Sequence, residues 1–422
     1  MKGLKTYKFN EIYEMSSGIS TKPVQAGHGS PFLSFSTVFN NYYLPEVLVD
    51  SMATSDKEKY TFSIKKGDVF LTRTSETIDE LGMSCVALKD YPEASYSGFV
   101  KRLRPVKNEI CYDKYMTYYL RSKLFRKTMT NNAVMTLRAS LNEQIFSYLQ
   151  LILPSYTEQK KAGDLLYSIS EKIDLNNRIN AELEALARTI YDYWFLQFDF
   201  PDAAGRPYRS AGGRMVYDVP FGWVKKNILE VADLLGGGTP SKRKSNYWGG
   251  NIPFFTPSDA KGAVFSFDTE AYTTPEGINN CSSRLFDPGT IFITARGSVG
   301  RLAIAGRPMG MNQSCYALSP KVGVSSAYLY FKTKELIKHL KVKSSGSVFN
   351  SIVSDDIKWT ILTIPPLNII EKFSECVNPM FDQIANLTAE NRELAGLRDW
   401  LLPLLMSGEV RVGSKQKAPT SA

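Results

Sequence analysis

The sequence is written twice. Ser30-Pro31-Phe32-Leu33-Ser34 is answered by Ile252-Pro253-Phe254-Phe255-Thr256, and Gly67-Asp68-Val69-Phe70-Leu71-Thr72 by Gly289-Thr290-Ile291-Phe292-Ile293-Thr294, both at an offset of 222 residues. Gly3, Phe9, Glu11 and Ile12 parallel Gly222, Ile228, Glu230 and Val231 at an offset of 219. Later the offset falls to 211, where Leu151-Ile152-Leu153-Pro154 matches Leu362-Thr363-Ile364-Pro365. Separate matches at nearly one offset mark a duplicated unit. A chain of 422 residues built this way is expected to hold two domains of one plan, not one large core.

After each matched proline the composition turns to Leu, Ala, Glu and Asn with few glycines. In the first copy Leu166, Ile169, Ile173, Asn176, Asn180, Leu183, Ala187, Ile190 and Trp194 follow in alternating steps of three and four. Adding 211 gives Val377, Met380, Ile384, Leu387, Asn391, Leu394, Arg398, Leu401 and Leu405. This is a heptad seam over about four heptads in each copy. Each helix should run ~40 residues, ~60 Å at 1.5 Å per residue. A single leucine stripe would fit ordinary core packing; two matched stripes point to the helices packing on each other as an antiparallel coiled coil about a pseudo-twofold axis. Asn180 and Asn391 hold the same seam position and are expected to meet there and fix the register. Pro379 lacks a backbone donor and predicts a kink or a late start in the second helix.

The regions ahead of the helices carry short β-branched and aromatic runs, such as Ser84-Cys85-Val86-Ala87-Leu88, punctuated by Gly, Pro and Asn. They read as compact α/β domains, so the class is α+β. The expected organisation is a globular domain over 1–155, a helix over 156–201, a second globular domain over 202–365, a second helix over 366–411 and a disordered polar tail over 412–422. Phe200-Pro201-Asp202-Ala203-Ala204-Gly205-Arg206-Pro207 reads as the linker into the second copy.

Charge sorts along the same boundaries. The net +9 divides into +5 on residues 1–155, −3 on 156–201, +8 on 202–364, −3 on 365–411 and +2 on the tail. Basic globular domains joined to acidic helices suggest two nucleic-acid-binding modules and a helical spacer that does not itself bind DNA. In the second module, Gly236-Gly237-Gly238-Thr239-Pro240-Ser241-Lys242-Arg243-Lys244-Ser245-Asn246-Tyr247-Trp248-Gly249-Gly250 combines glycines with phosphate-neutralising cations and hydrogen-bonding side chains. Thr239, Ser241, Lys242, Arg243, Lys244, Tyr247 and Trp248 are its candidate DNA contacts; the alternative is a solvated loop with a chance charge run. The counterpart in the first module, Ser17-Gly18-Ile19-Ser20-Thr21-Lys22, offers Lys22. A second candidate follows the matched strand, with Arg73 in one copy and Arg296 and Ser298 in the other, as DNA contacts or as ordinary polar residues at a strand end.

Hydrophobic residues make up 43% and charged residues 22%, which excludes intrinsic disorder and collagen-like or disulfide-scaffold classes. No stretch approaches the ~20 apolar residues of a membrane span, and no apolar leader follows Met1, so a cytoplasmic location with no membrane partner is expected. The five cysteines form no CxxC pair and only His28 and His339 could join them, so no metal site is assigned. Walker, HExxH and GxGxxG patterns are absent. Asn378-Pro379-Met380-Phe381 lacks the second proline of the amine-gripping motif of amino-methyltransferases, and Asp356-Ile357-Lys358 lacks the acidic pair of a nuclease. No catalytic residue is assigned.

Two α/β units each closing in an Ile/Leu-Pro strand and a long heptad helix, the matched Asn180-x-x-Leu183 and Asn391-x-x-Leu394, and the run from Gly236-Gly237-Gly238-Thr239-Pro240 to Tyr247-Trp248-Gly249-Gly250-Asn251-Ile252-Pro253 resemble the specificity subunits of type I restriction–modification systems. The resemblance spans all but about the last ten residues and is closest in the second half. It implies two tandem target-recognition domains, each reading one half of a bipartite, asymmetric double-stranded DNA target, separated by helices that set the spacer. It implies a non-catalytic chain without its own cofactor. Two modification subunits would bring S-adenosylmethionine for adenine N6 methylation, and restriction or motor subunits would bring ATP and Mg. The helix interface would then be carried by Leu166, Ile169, Ile173, Asn180, Leu183, Ile190, Val377, Ile384, Leu387, Asn391, Leu394 and Leu401. A stand-alone DNA-modifying enzyme with a cryptic site and a non-DNA scaffold are the competing readings.

Overall fold

The computed structural model describes residues 4–75, 81–107, 109–131, 134–135, 139–140, 149–343 and 351–413. Of the expected tail, residues 414–422 lie outside the described residues. The chain divides into two compact units, 1–173 with 393–422, and 174–392. Each long helix is therefore shared between units; neither forms a domain of its own.

In unit 1, β1 (Lys5–Lys8) pairs antiparallel with β9 (Gln150–Leu153), with Leu151 and Leu153 buried and Gln150 and Ile152 facing water. β2 (Tyr13–Ser17), β5 (Val69–Thr72), β6 (Ser84–Val86) and β8 (Val100–Pro105) form an antiparallel sheet ordered β2-β8-β5-β6. β5 is buried along its whole length, as a strand covered on both faces must be. A smaller sheet runs β4-β3-β7, from β3 (Ala26–Leu33), β4 (Ser51–Met52) and β7 (Ser95–Tyr96), with β3 and β7 parallel. Asp68, fully buried at the start of β5, accepts two bonds from the Arg104 guanidinium at 2.6 and 2.8 Å.

Unit 2 repeats this plan. β10 (Val224–Lys226) pairs with β19 (Leu362–Ile364). β11 (Ala232–Gly236), β13 (Phe265–Ser266), β15 (Ile291–Thr294), β16 (Leu302–Ala305) and β18 (Cys315–Pro320) form a sheet ordered β11-β18-β15-β16-β13. β12 (Trp248–Phe255), β14 (Tyr272–Thr273) and β17 (Gly310–Met311) repeat the small sheet, with β12 and β17 parallel. Even the irregularities recur: Ala26 and Ser30 both oppose Met52, and Trp248 and Ile252 both oppose Thr273. Gly27 and Gly249, at equivalent points of the two bulges, have φ of +87° and +76°, which explains why glycine stands there in both copies.

The long helices cover Tyr156–Tyr191 and Leu367–Ser407, about 54 and 62 Å at 1.5 Å per residue. The first ends in a π-helical turn at Asp192–Leu196, short of residue 201. The second runs unbroken through Pro379, so there is no late start. All eighteen heptad residues are buried or half-buried. Inside unit 2 the helices run antiparallel. Asn176 Nδ2 donates to Asn391 Oδ1 at 2.9 Å, Asn391 Nδ2 to Asn177 Oδ1 at 2.9 Å, and Asn180 Nδ2 to Thr388 Oγ1 at 3.3 Å. The expected Asn180–Asn391 contact is thus corrected. The helices cross midway between the two asparagines, and each faces the residue equivalent to the other's partner, since Asn177 and Thr388 are themselves 211 residues apart. Asn176, fully buried, also donates to Glu390 Oε2 at 2.7 Å.

The expected linker is also corrected. Phe200 and Trp223 are buried, Phe200 stacks on Tyr208 at 4.6 Å and on Trp223 at 5.3 Å, and Asp199 accepts from the Ser210 amide and hydroxyl, both at 2.7 Å. Its aromatic residues fasten the segment into unit 2. Among the described residues no helix is long and apolar enough to cross a membrane.

Asn391→Ala removes the acceptor that Asn176 shares with Glu390 and the donor to Asn177, while Asn176 stays buried. It should lower unfolding free energy by about 1–3 kcal/mol, read as a lower urea midpoint; Glu182→Ala, on the exposed helix surface, should leave the midpoint within error.

Candidate nucleic-acid interface

The glycine-rich loop begins where β11 ends. A Cβ on Gly237 would lie 2.3 Å from the Asn312 carbonyl oxygen, and one on Gly238 2.8 Å from the Ser283 amide nitrogen. These glycines are required by the protein's own backbone, which passes too close for any side chain. The Gly238 amide donates to the Met311 carbonyl at 3.1 Å, and the Thr239 hydroxyl donates to Gln313 Oε1. The segment Asn312–Ser314 also holds the second candidate: the Ala295 and Arg296 amides donate to the Ser314 carbonyl at 2.9 and 3.2 Å. The loop and the turn are therefore gathered on either side of Asn312-Gln313-Ser314. Gln313 is exposed there with Arg296 and Ser298.

Unit 1 contains the same assembly. A Cβ on Gly18 would lie 2.3 Å from the Ser97 carbonyl oxygen. The Ile19 amide donates to the Tyr96 carbonyl at 2.9 Å, and the Arg73 amide to the Phe99 carbonyl at 3.0 Å. Lys22 and Arg73 are exposed, with Phe99 64% exposed on the segment between them.

The residues of the unit 2 loop divide by role. Ser241, Lys242, Arg243 and Lys244 are exposed. Lys244 Nζ donates to the Tyr247 hydroxyl at 2.9 Å and lies 4.9 Å from the Tyr247 ring centroid. That hydrogen bond holds the ammonium above its ordinary pKa. Tyr247 itself is buried, so its expected role as a DNA contact is corrected: it anchors the loop. Trp248 is half-buried, donates through Nε1 to the Ser241 carbonyl at 3.3 Å and packs edge-on against Phe254 at 5.2 Å. It braces the loop that carries Lys242 and Arg243.

The type I restriction modification DNA specificity domain matches this chain twice, over residues 1–185 and 220–395. The chain belongs to that family. Family members similar to it include the type I restriction enzyme MjaIX specificity subunit of Methanocaldococcus jannaschii, 34% identical over 42% of this chain and 42% of that one. The HindI specificity subunit of Haemophilus influenzae is 26% identical over 63% of this chain and 70% of its own length. The alignment therefore spans less than half of the first relative. The solved S subunit of the type I system of M. genitalium shares the fold, with a TM-score of 0.60 at 13% identity over 95% of this chain and 96% of that one.

The loop and the turn of unit 2 are joined by residues that pattern reading passed over. Asn312, Gln313 and Ser314 belong to no charge run or glycine motif, and only their position opposite Gly237 reveals them. Among the described residues no three His, Cys, Asp or Glu side chains are grouped as metal ligands would be. The close approach at Gly237 gives a direct test. Gly237→Ala forces a methyl against the Asn312 carbonyl and should lower the melting temperature by roughly 5 °C, whereas Gly236→Ala, where no atom lies within 4 Å, should leave it nearly unchanged.

Proposed function

We propose that this chain is the DNA-recognition subunit of a type I restriction–modification complex. The supporting observation is that both units gather a loop, a strand-end turn and a connecting segment by the same backbone hydrogen bonds, and that exposed cations stand on these elements in each. A surface of that kind neutralises phosphates with Lys22, Arg73, Lys242, Arg243, Lys244 and Arg296, and presents side-chain amides and hydroxyls to base edges. Thr239, Ser241, Gln313 and Ser298 are the polar candidates in unit 2. Each unit reads one half of a bipartite target. The two long helices set the spacer between the halves, and their acidic faces dock two modification subunits.

The chain supplies recognition and the partners supply chemistry. Modification subunits carry S-adenosylmethionine and methylate adenine N6, and restriction subunits carry ATP and Mg. Division of labour of this kind agrees with the scattered cysteines, the two isolated histidines and the absence of nucleotide-binding motifs in the sequence. The work of this chain is then intracellular and close to the chromosome.

A methylation assay on the full chain with and without an added modification subunit tests the central assignment. Methyl transfer is expected only with the partner; transfer by this chain alone would refute it. For the DNA-facing surface, Lys242→Ala with Arg243→Ala should weaken duplex binding and reduce the slope of log affinity against log salt by about 1.8, at roughly 0.9 for each phosphate no longer neutralised. Partner assembly should persist, and unchanged affinity would remove this loop from the interface.

A further inference from the structure

Unit 2 contains a basic cavity that the reading surface does not use. Its volume is about 800 Å³, and its lining includes Lys261, Arg301, Lys334, Lys338 and Lys341 against one carboxylate, Glu184. Glu184 is already engaged: it accepts from the Tyr330 hydroxyl at 3.1 Å and pairs with Lys334. Lys261 pairs with Glu270 at 3.3 Å with both side chains well exposed, an interaction worth little in water. Among the described residues, neither Arg301 nor Lys338 lies within ion-pair distance of a carboxylate. Arg301 and Lys338 therefore bring to the cavity exposed positive charge that no carboxylate offsets.

The source of this charge is the helix Ser326–Lys343, which carries five lysines and one glutamate. Lys334, Lys338 and Lys341 are spaced by four and three residues, so they share one face, and that face lines the cavity. The opposite wall is Gly300-Arg301-Leu302, at the base of the turn whose tip exposes Arg296 and Ser298. The Gly300 amide donates to the Thr294 carbonyl at 2.8 Å and the Thr294 amide to the Arg301 carbonyl at 3.0 Å, so tip and wall are one rigid hairpin. Arg301 is held by a bond from Nη1 to the Ala260 carbonyl at 3.1 Å, which leaves its other donors available.

We infer that this cavity is a phosphate clamp. It grips the DNA backbone next to the half-site read by unit 2, through Arg301 and Lys338, without reading sequence. The inference rests on the DNA-recognition reading above and adds a separate site to it. The exposed rim favours a polyanion lying across the surface, because a small-molecule site would enclose most of its ligand. Unit 1 has no arginine at the position of Arg301. β6 and β16 align so that Met83 stands where Arg301 does.

Binding of the full chain, alone and with its modification subunits, to a random-sequence 40-base-pair duplex tests this across a salt series. Arg301→Gln with Lys338→Gln should lower affinity on the order of tenfold or more at 0.1 M salt and reduce the salt slope by about 1.8. Lys338→Arg, which keeps the charge, should bind as the parent does, and circular dichroism and melting temperature should match throughout. If the parent binds with a steep salt slope and the double variant is indistinguishable from it, the clamp is refuted while the recognition reading stands. A parent chain that shows no salt-dependent DNA binding, even with its partners, would refute both. Inorganic pyrophosphate and ATP serve as competitors: release of the duplex by either at micromolar concentration, lost in the double variant, would assign the cavity to a free phosphate ligand and overturn the DNA clamp.

Discussion

The reading surface of each unit depends on two backbones touching where no side chain can intervene. Gly237 lies against Asn312 and Gly18 against Ser97, each with room for a hydrogen atom and none for a methyl. The contact fastens the loop after the first strand of the main sheet to the segment that enters its neighbour. The same segment supplies the carbonyl that fixes the strand-end turn, at Ser314 in one unit and Phe99 in the other. Three stretches distant in sequence thus become one surface through main-chain bonds alone. Side chains on that surface can then vary without dismantling it, which a reader of arbitrary sequences requires.

This separation of frame from surface accounts for what the sequence disclosed and what it withheld. The duplication, the two long helices and the α/β character of the globular regions were legible because they rest on hydrophobic period and on glycine and proline placement. The glycine-rich loop was legible as a feature, but not what its glycines accommodate, which is Asn312, Ser282 and Ser283. Tyr247 and Trp248 looked like contacts because aromatic and hydroxyl groups suit nucleic acid; burial of one and half-burial of the other make them the loop's anchors. The heptad pattern identified Asn180 and Asn391 as seam residues. It could not say which residue of the other helix stands opposite, because antiparallel register depends on where the helices cross. Asn391 is bonded to Asn176 of the seam and to Asn177, which lies outside it.

The lysine-rich helix shows another limit. Lysines at 334, 338 and 341 on a helix ordinarily mean a solvated face, and nothing in the local pattern separates that from a binding wall. The distinction comes from what lies opposite: a hairpin with its own arginine and a carboxylate already occupied. Regional charge carried a trace of it, since residues 202–364 hold the largest excess, +8, and this helix contributes four of those net positive charges.

The two copies have diverged where divergence is permitted. The bulge, the order of the four shared main-sheet strands and the backbone bonds of the reading surface agree, and unit 2 adds β13 at the sheet edge. By contrast, Gln313 in unit 2 stands where unit 1 has Gly98, and the exposed Phe99 stands where unit 2 has Ser314. An amide can pair with a base edge, whereas a phenyl ring offers only apolar contact or stacking. Two surfaces built on one frame thus carry different chemistry, as the proposed reading of a target with two unlike half-sites needs. A duplicated chain free to alter one surface at a time can reach such a target without rebuilding its fold.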